Sequence, residues 1–325
     1  MRGLLRLVTV LSTFLVLAAC QAGQSGEVIQ LVNITVVDVK GGNLLSGMTV
    51  VIEGGRITSV AAKTTAPATR GLRVDGTGKF LIPGLWDMHV HTLAPERRDS
   101  YFPLFLANGV TGLRDTGAWI PLAEVQRWRE ELASGARLGP RIVDVSGPLV
   151  DGPGAKHIRN GFKDEDTGAI TVRDAAEARV AVATLQRQGA DFIKVYNSLS
   201  REAFFAIADE ARRREFPFVG HVPFVVTTAE ASHAGQRSME HLDAVVVDCV
   251  MKKRASLRQE LASGNFPPPN ELQAAVQACD PAEMTALFCF TRKKPDVAGP
   301  YARTGTLHRV RPSRERSANE IRVSD

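Results

Sequence analysis

The sequence predicts an α/β fold in which a small β-rich domain precedes a larger domain of alternating strands and helices. Up to residue 80, apolar and polar residues alternate over short runs, a period typical of half-buried strands. From residue 81, apolar runs of strand length alternate with longer helical stretches, which is the pattern of βα units. With 325 residues, the chain is long enough for one large domain and a small one.

Residues 21–80 contain the strands of the small domain. We predict three strands and a further short one, at 34–38, 48–52, 56–60 and within 71–80. Gly41 and Gly42 separate the first two strands, and Gly54 and Gly55 form a tight turn before the third. These turns indicate strands that follow one another closely in the sheet.

The larger domain contains six predicted strands. They lie at 84–91, 110–115, 141–145, 192–196, 218–222 and 238–242. The helical stretches include 120–133, 173–188 and 201–215, the last with Ser200 as a suitable N-cap. Since a (β/α)₈ TIM-type barrel has eight parallel strands, residues 81–288 predict an incomplete barrel with six of them.

Residues 289–325 differ from the rest of the chain. This segment has nine basic and four acidic residues, which accounts for the whole net charge of +5, and it shows no apolar periodicity. We therefore expect no nucleic-acid partner, because the preceding 288 residues balance in charge. The hypothesis is out-of-frame translation after residue 288, so that the chain is truncated or frameshifted; the alternative is a genuine disordered basic tail.

Residues 1–20 resemble a bacterial lipoprotein signal. Basic residues precede an apolar stretch at 7–18 that is too short to span a bilayer comfortably, and the segment ends in Leu-Ala-Ala-Cys at 17–20. The resemblance implies cleavage before Cys20, lipid on its thiol and, from Gln21, location on the periplasmic side of the outer membrane. An ordinary signal peptide with a chance cysteine is the alternative.

Three cysteines remain if Cys20 carries lipid. Cys249, Cys279 and Cys289 cannot form a complete disulfide framework, and their spacing is not that of a metal site. We interpret them as ordinary residues.

The most informative motif is the pair His89 and His91 at the end of the first barrel strand. Side chains at positions i and i+2 of a strand point to the same face, so the two imidazoles project together. Two neutral imidazoles make half of a transition-metal site. The pair by itself is a weak signal, because histidine pairs on strands are common.

Three further candidates lie at the carboxyl ends of predicted strands, where barrel active sites are built. Lys194 interrupts the apolar run Phe-Ile-Lys-Val-Tyr at 192–196, and His221 and His241 follow two later strands. A buried ammonium must find a partner, change its pKa or be modified. A lysine that reaches solvent at the strand end is the alternative.

These segments together resemble the amidohydrolase superfamily of metal-dependent hydrolases. The resemblance rests on Leu-Ile-Pro-Gly-Leu-Trp-Asp-Met-His-Val-His-Thr at 81–92, the run at 192–196, Gly-His-Val-Pro at 220–223 and Ser-Met-Glu-His-Leu at 238–242. It is nearest to imidazolonepropionase-related proteins and dipeptidases that act on Xaa-Pro or Xaa-Arg/Lys peptides. It implies a small β-sandwich domain before a barrel.

The resemblance also implies a role for each candidate. Lys194 would be carbamylated and would bridge two divalent metal ions, for which zinc is expected and manganese, iron and cobalt stay open. His89 and His91 would bind the more buried ion, and His221 and His241 the more exposed one. A metal-bound hydroxide would attack the carbonyl of an amide, cyclic amide or dipeptide.

Substrate contacts and proton transfer are less well specified by the sequence. Tyr196 and His157 are candidates for contacts with a small amide or dipeptide substrate, and Asp115 is interpreted as structural or as support for the site. The aspartate that ends the eighth strand in this superfamily is not found here. We therefore expect impaired hydrolysis, and the alternatives are a non-catalytic metal- or ligand-binding lipoprotein and an inactive product.

Overall fold

The computed structural model describes residues 28–62, 71–153, 169–251, 256–264, 268–280, 282 and 320–321. It divides the chain into two units, Met1–Pro83 with Arg303–Asp325, and Gly84–Ala302. Among the helices in these ranges, none has the length and apolar character needed to cross a membrane. Cys20 and His157 lie outside the described residues.

The strands of the described ranges are β1 (Val28–Asp38), β2 (Asn43–Glu53), β3 (Arg56–Ala62), β4 (Leu72–Asp75), β5 (Phe80–Leu81), β6 (Leu85–Val90), β7 (Val110–Asp115), β8 (Arg141–Val145), β9 (Val150–Asp151), β10 (Ile170–Thr171), β11 (Ile193–Val195), β12 (Phe218–Gly220) and β13 (Glu320–Ile321). The helices are α1 (Pro95–Ala107), α2 (Leu122–Ala133), α3 (Ala175–Arg187), α4 (Arg201–Arg213), α5 (Thr228–Ala234), α6 (Asp243–Met251), α7 (Leu257–Ala262) and α8 (Pro269–Gln277).

The first unit contains a six-stranded sheet. β1, β2 and β3 pair antiparallel in chain order, while β4 and β5 join β1 in parallel. Ile34, Met48, Val50 and Val60 form its buried apolar cluster. The expected sandwich is not confirmed, because the parallel pairing adds β4 and β5 to the same sheet instead of forming a second layer.

One short strand comes from the segment expected to be disordered or out of frame. Glu320 and Ile321 of β13 pair antiparallel with Ala61 and Val60 of β3. An edge strand presents unpaired backbone N–H and C=O groups, and β13 satisfies some of those of β3. The hypothesis of a disordered or out-of-frame tail stays a prediction.

The second unit is a mixed α/β structure with parallel sheets. One sheet has the order β6-β7-β8 and the other the order β10-β9-β11-β12, and every pair in them is parallel. β6, β7, β8, β11 and β12 coincide with five of the six strands that the sequence predicts. The sixth, at 238–242, is reduced to one bridge between Gly220 and Met239.

Backbone conformation explains why the sixth strand is so short. His241 and Leu242 have φ angles of 60° and 63°, in the left-handed region, which ends extended backbone. α6 then begins at Asp243. The predicted strand is thus replaced by a turn that leads directly into a helix.

Helices cover the parallel sheets with apolar side chains. Trp128 of α2 is fully buried and packs edge-on against Phe102 of α1, with ring centroids 6.2 Å apart. Phe204 and Ile207 of α4 are also fully buried, in the cluster that includes β11 and α3. As predicted, Ser200 caps α4, and its hydroxyl accepts a hydrogen bond from the backbone N–H of Ala203 at 3.1 Å.

A disulfide bond corrects our interpretation of two cysteines. Cys249 of α6 is bonded to Cys279, which follows α8, and their Cα atoms are 5.8 Å apart. This separation lies in the usual range for a disulfide. The sequence did not indicate the pair, because the two helices come together only in the folded unit.

Asp191 closes the seam between the two parallel sheets. Its backbone N–H donates to the carbonyl of Val145 at 2.8 Å, and its carboxylate accepts from the Val145 N–H at 2.9 Å. The Arg129 guanidinium donates to the same carboxylate oxygen at 2.6 Å. One side chain therefore joins the end of β8, the approach to β11 and helix α2.

Removal of this carboxylate should destabilise the second unit. We expect Asp191→Ala to lower the free energy of unfolding by about 1–3 kcal/mol, because the Val145 N–H and the Arg129 guanidinium lose their acceptor. Urea denaturation followed by circular dichroism measures the change. Asp191→Asn keeps an acceptor oxygen and should lose less; equal losses in the two variants would contradict this prediction.

Candidate functional site

The five predicted metal ligands lie at the carboxyl ends of parallel strands or just beyond them. His89 is in β6 and His91 follows it, Lys194 is in β11, and His221 comes directly after β12. His241 follows the Met239 bridge by two residues. The carboxyl ends of parallel strands are where barrel active sites are built.

The structure brings all five side chains together. The Nε2 atoms of His89 and His91 are 3.3 Å apart, and the Lys194 Nζ lies 3.4 Å from the Nε2 of His89. The ring centroid of His241 is 4.6 Å from that of His89 and 5.0 Å from that of His221. His241 is exposed, whereas Lys194 and His221 are buried. The site therefore has one deep end and one open end.

Lys194 is fully buried and does not reach solvent. Burial lowers its pKa to about 8; the carboxylate of Glu240 opposes the effect and the guanidinium of Arg114 adds to it. Near neutral pH, the fraction of Lys194 present as a neutral amine is therefore larger than that of an exposed lysine. A neutral amine is the form that can act as a nucleophile.

The buried histidines are neutral. Burial, followed by the positive charge of Lys194, lowers the pKa of His91 to about 3 and that of His221 to about 2. Burial also lowers the pKa of His241. Each neutral imidazole has one ring nitrogen with a free lone pair, which is what a metal ion requires.

Hydrogen bonds show which ring nitrogen carries the hydrogen in His89 and in His221. His89 donates from Nδ1 to Oε2 of Glu240 at 2.7 Å, and His221 donates from Nδ1 to Oδ1 of Asn197 at 2.8 Å. Both acceptors are oxygen atoms without a proton, so Nδ1 carries the hydrogen in each ring. In the neutral form of each ring, the lone pair is then on Nε2.

Glu240 remains ionised despite its burial. Desolvation raises its pKa, but hydrogen bonds from His89 and Ser238 and the positive charges of Arg114 and Lys194 outweigh that effect and lower it to about 2. The carboxylate is consequently an acceptor for all of its neighbours. Sequence reasoning did not select Glu240, although it directly precedes His241.

Arg114 and Asn197 were also missed. Arg114 is a buried cation in the apolar strand β7, and Asn197 follows β11 by two residues. A charged residue inside a short apolar strand was the available signal for Arg114, as it was for Lys194. Nothing local distinguishes Asn197, whose role depends on its distance from His221.

Two glycines allow the backbone to approach the site closely. Gly220 has φ 131°, and a Cβ there would lie 2.2 Å from the carbonyl oxygen of Val195. At Gly117, a Cβ would lie 2.7 Å from Nδ1 of His91. Any larger residue at either position would displace β11 or the His91 ring.

The donor atoms fit a divalent metal ion. In tetrahedral coordination with Zn–N bonds of about 2.0–2.1 Å, neighbouring nitrogens are about 3.4 Å apart. The 3.3 Å separation between the Nε2 atoms of His89 and His91 matches this value. In the described part of the chain, no three His, Cys, Asp or Glu residues form a metal-binding group, and the polar side chain beside His89 Nε2 at 3.4 Å is that of a lysine, Lys194.

The remaining predicted residues have different surroundings. Tyr196 stacks on His221 with ring centroids 4.0 Å apart, and burial raises its pKa. The Asp115 carboxylate accepts backbone hydrogen bonds from Thr92 at 2.7 Å and Leu93 at 3.1 Å. Asp115 thus holds the segment after His91 in place, which is a structural role.

Two spaces adjoin residues of the site. A cavity of about 20 Å³, enough for about one water molecule, is lined by Asn197, His221, Glu240 and Asp243 among others. A larger cleft of about 560 Å³ is lined by Trp119, Ile120, Leu122 and Pro148 among others. The Trp119 ring stacks on His91 with centroids 6.0 Å apart, so the apolar cleft and the site share one aromatic wall.

Comparison with known proteins gives partial relatives. No protein-family model matches the chain. A dihydroorotase of Streptomyces coelicolor is 27% identical over 174 residues, covering 50% of this chain and 39% of that protein. An imidazolonepropionase of Idiomarina loihiensis is 42% identical over 69 residues, covering 21% of this chain and 17% of that protein. The chain therefore matches less than half the length of either relative.

A solved structure matches more of the chain. A crystal structure described as that of a prolidase from Bifidobacterium longum is 29% identical, with a TM-score of 0.51. The match covers 67% of this chain and 55% of that one.

Gly220 should tolerate substitution less well than Gly235. Both glycines have a positive φ angle, but only Gly235 has free space where a Cβ would lie. Gly235 has φ 97° and a Cβ there would meet nothing within 4 Å, so Gly235→Ala carries only a backbone cost of about 1–2 kcal/mol. Gly220→Ala adds the collision with Val195 and should lower the free energy of unfolding further. Chemical denaturation measures both variants, and equal losses would contradict the prediction.

Proposed function

We propose that the chain, a member of the amidohydrolase superfamily, is a metal-dependent hydrolase of C–N bonds. The observation that carries the proposal is the 3.3 Å separation of the Nε2 atoms of His89 and His91 beside the buried Lys194. Two imidazole nitrogens this close together can bind one metal ion, and the buried lysine beside them is the residue proposed to be carbamylated.

The ligands divide into two groups in this proposal. The neutral amine of Lys194 would add carbon dioxide and lose a proton to become a carbamate. His89, His91 and this carbamate would hold one divalent ion, and the carbamate, His221 and His241 would hold a second, more exposed one. Zinc is the proposed metal. A divalent ion bound there supplies Lewis acidity, which polarises a carbonyl group and makes water more acidic.

The other residues of the site orient its ligands and substrate. Asn197 holds the His221 ring through Nδ1 and so directs Nε2 towards the site. Tyr196 and His157 are the proposed substrate contacts, and the first of these stacks on His221.

We propose a small amide, cyclic amide or dipeptide as the substrate. The names dihydroorotase and prolidase belong to the relatives, and the chain matches only part of each. The apolar cleft beside Trp119, lined also by Ile120 and Leu122, supports a substrate with an apolar side group.

The two parallel sheets of the second unit are proposed to be consecutive parts of the wall of a (β/α)₈ barrel. The hydrogen bonds of Asp191 to Val145 support this, since they continue the parallel pairing from β8 to β11. The six strands that the sequence predicts would then belong to that wall, with Met239 in the shortest of them, and β9 and β10, of two residues each, would add to it.

Metal binding and turnover should depend on the paired histidines. We expect the full chain to bind zinc and the double variant His89→Ala/His91→Ala to lose it, because the shared donor pair is gone. His233→Ala is the matched control, since His233 is exposed on α5. Equilibrium dialysis with metal analysis measures binding, and hydrolysis of Xaa-Pro dipeptides and cyclic amides measures activity.

The outcomes of this experiment separate the alternatives. Hydrolysis that requires zinc and both histidines supports the hydrolase, and slow turnover supports an impaired one. Zinc binding without any turnover supports a non-catalytic metal-binding protein. Failure of the folded wild-type chain to bind zinc, manganese or cobalt contradicts the proposal.

We also propose that the protein is exported and anchored by lipid on Cys20 at the periplasmic side of the outer membrane. The lipoprotein-like sequence at 17–20 supports this. The disulfide between Cys249 and Cys279 adds support, because disulfides persist in the periplasm and are rare in the cytosol.

The anchor predicts a simple fractionation result. Expressed in a Gram-negative host, the wild-type protein should sediment with membranes, whereas Cys20→Ala should be released into the soluble fraction because it has no thiol for the lipid. Cys289→Ala removes a different thiol and should sediment like the wild type. Membrane association of Cys20→Ala would contradict the proposal.

A further inference from the structure

We infer that Glu240 is a positioning residue that keeps the ring proton of His89 on Nδ1 and thereby reserves Nε2 for a metal ion. The inference rests on the proposed function, in which His89 is a metal ligand. It concerns a contact between residues 151 positions apart in the chain. It assigns a role to a carboxylate that the ligand set does not use.

The two oxygens of Glu240 have separate partners. Oε2 accepts from Nδ1 of His89 at 2.7 Å, and Oε1 accepts from Nη2 of Arg114 at 2.9 Å and from the hydroxyl of Ser238 at 2.7 Å. The side chain is only 8% exposed. Water therefore competes little for the carboxylate, and its orientation is set by these three donors.

Arg114 is itself held firmly. Its Nε donates to the carbonyl of Met88 at 2.5 Å, and its Nη1 donates to the hydroxyl of Ser238 at 3.1 Å. The guanidinium also lies over the ring of Phe192, with Cζ 5.7 Å from the ring centroid. Because Met88 directly precedes His89, one guanidinium positions both the carboxylate and the backbone beside the ligand.

Glu240 does not lie on the ligand side of His89. The Nε2 of His89 faces His91 and Lys194, at 3.3 and 3.4 Å, whereas the carboxylate contacts the other ring nitrogen. Glu240 therefore acts through His89 and not as a further donor to the same ion. A carboxylate behind a ligating imidazole fixes its tautomer and raises its basicity.

Substitution by glutamine reverses the polarity of this contact. Arg114 has only donors, so the single oxygen of a glutamine must stay on the arginine side. The NH₂ group then faces His89 and donates to Nδ1, which must become the acceptor. The ring proton moves to Nε2, where it blocks the lone pair that a metal ion needs.

Substitution by alanine has a different consequence. Glu240→Ala places no donor against His89, so the ring can still keep its proton on Nδ1. It leaves the buried Arg114 without its carboxylate, however, and so weakens the fold more than Glu240→Gln. If Glu240 had only a structural role, Glu240→Ala would be both the less stable variant and the weaker binder of zinc.

The test uses the full chain in two measurements. Nitrogen NMR of the metal-free protein labelled with ¹⁵N-histidine reports which ring nitrogen of His89 carries the proton, with the signal assigned by its loss in His89→Ala. Competition of Zn²⁺ against a chromophoric chelator reports affinity. Glu210→Gln is the control, because Glu210 is a buried carboxylate bound by Arg213 and Arg214 on α4.

We expect the proton on Nδ1 in the wild type and in Glu210→Gln, and on Nε2 in Glu240→Gln. Zinc affinity should fall about 10–100-fold in Glu240→Gln and less in Glu240→Ala, although Glu240→Ala is the less stable. If Glu240→Ala does not fold, the NMR comparison of wild type with Glu240→Gln decides alone.

The inference is overturned by a proton on Nε2 of wild-type His89, by an unchanged tautomer in Glu240→Gln, or by weaker zinc binding in Glu240→Ala than in Glu240→Gln. If the wild type binds no zinc, the proposed function fails, but the ring-nitrogen signals still decide whether Glu240 sets the tautomer.

Discussion

A fully buried lysine in a parallel sheet is the constraint on which the second unit depends. Lys194 has no exposed surface, and a buried ammonium is costly unless charges or hydrogen bonds compensate for it. Glu240 supplies the nearby negative charge, and burial shifts the lysine towards its neutral form. The absence of a side chain at Gly220 lets β12 approach β11 closely. His221 is also buried, and its burial lowers its pKa and keeps the imidazole neutral.

The two faces of the parallel strands differ in polarity. Leu113 and Ile142 belong to the apolar cluster packed with the helices, where burial supplies stability. Arg114, next to Leu113 in β7, points to the other face and pairs with Glu240. Strand alternation therefore separates a stabilising layer from a polar interior. This separation lets the site contain several charged groups without weakening the contact between sheet and helices.

Contacts with residues outside the candidate ligand set hold the candidate side chains in place. Glu240 and Asn197 each hold one ring nitrogen of a histidine, and Asp115 ties down the segment after His91. His241 lies where two left-handed residues end the sixth strand. The proposed metal site is therefore preorganised by residues outside the candidate ligand set.

Local pattern predicted the α/β class and five of the parallel strands, because strand period and turn glycines are properties of a few neighbouring residues. The candidate metal-site residues were selected by the resemblance of several motifs to the amidohydrolase superfamily, since His221 and His241 are weak signals individually. The tertiary structure decided the rest. The single sheet of the first unit, the Cys249–Cys279 disulfide and the contact of Glu240 with His89 join distant segments. Such contacts depend on how strands and helices assemble, and no local period encodes that arrangement.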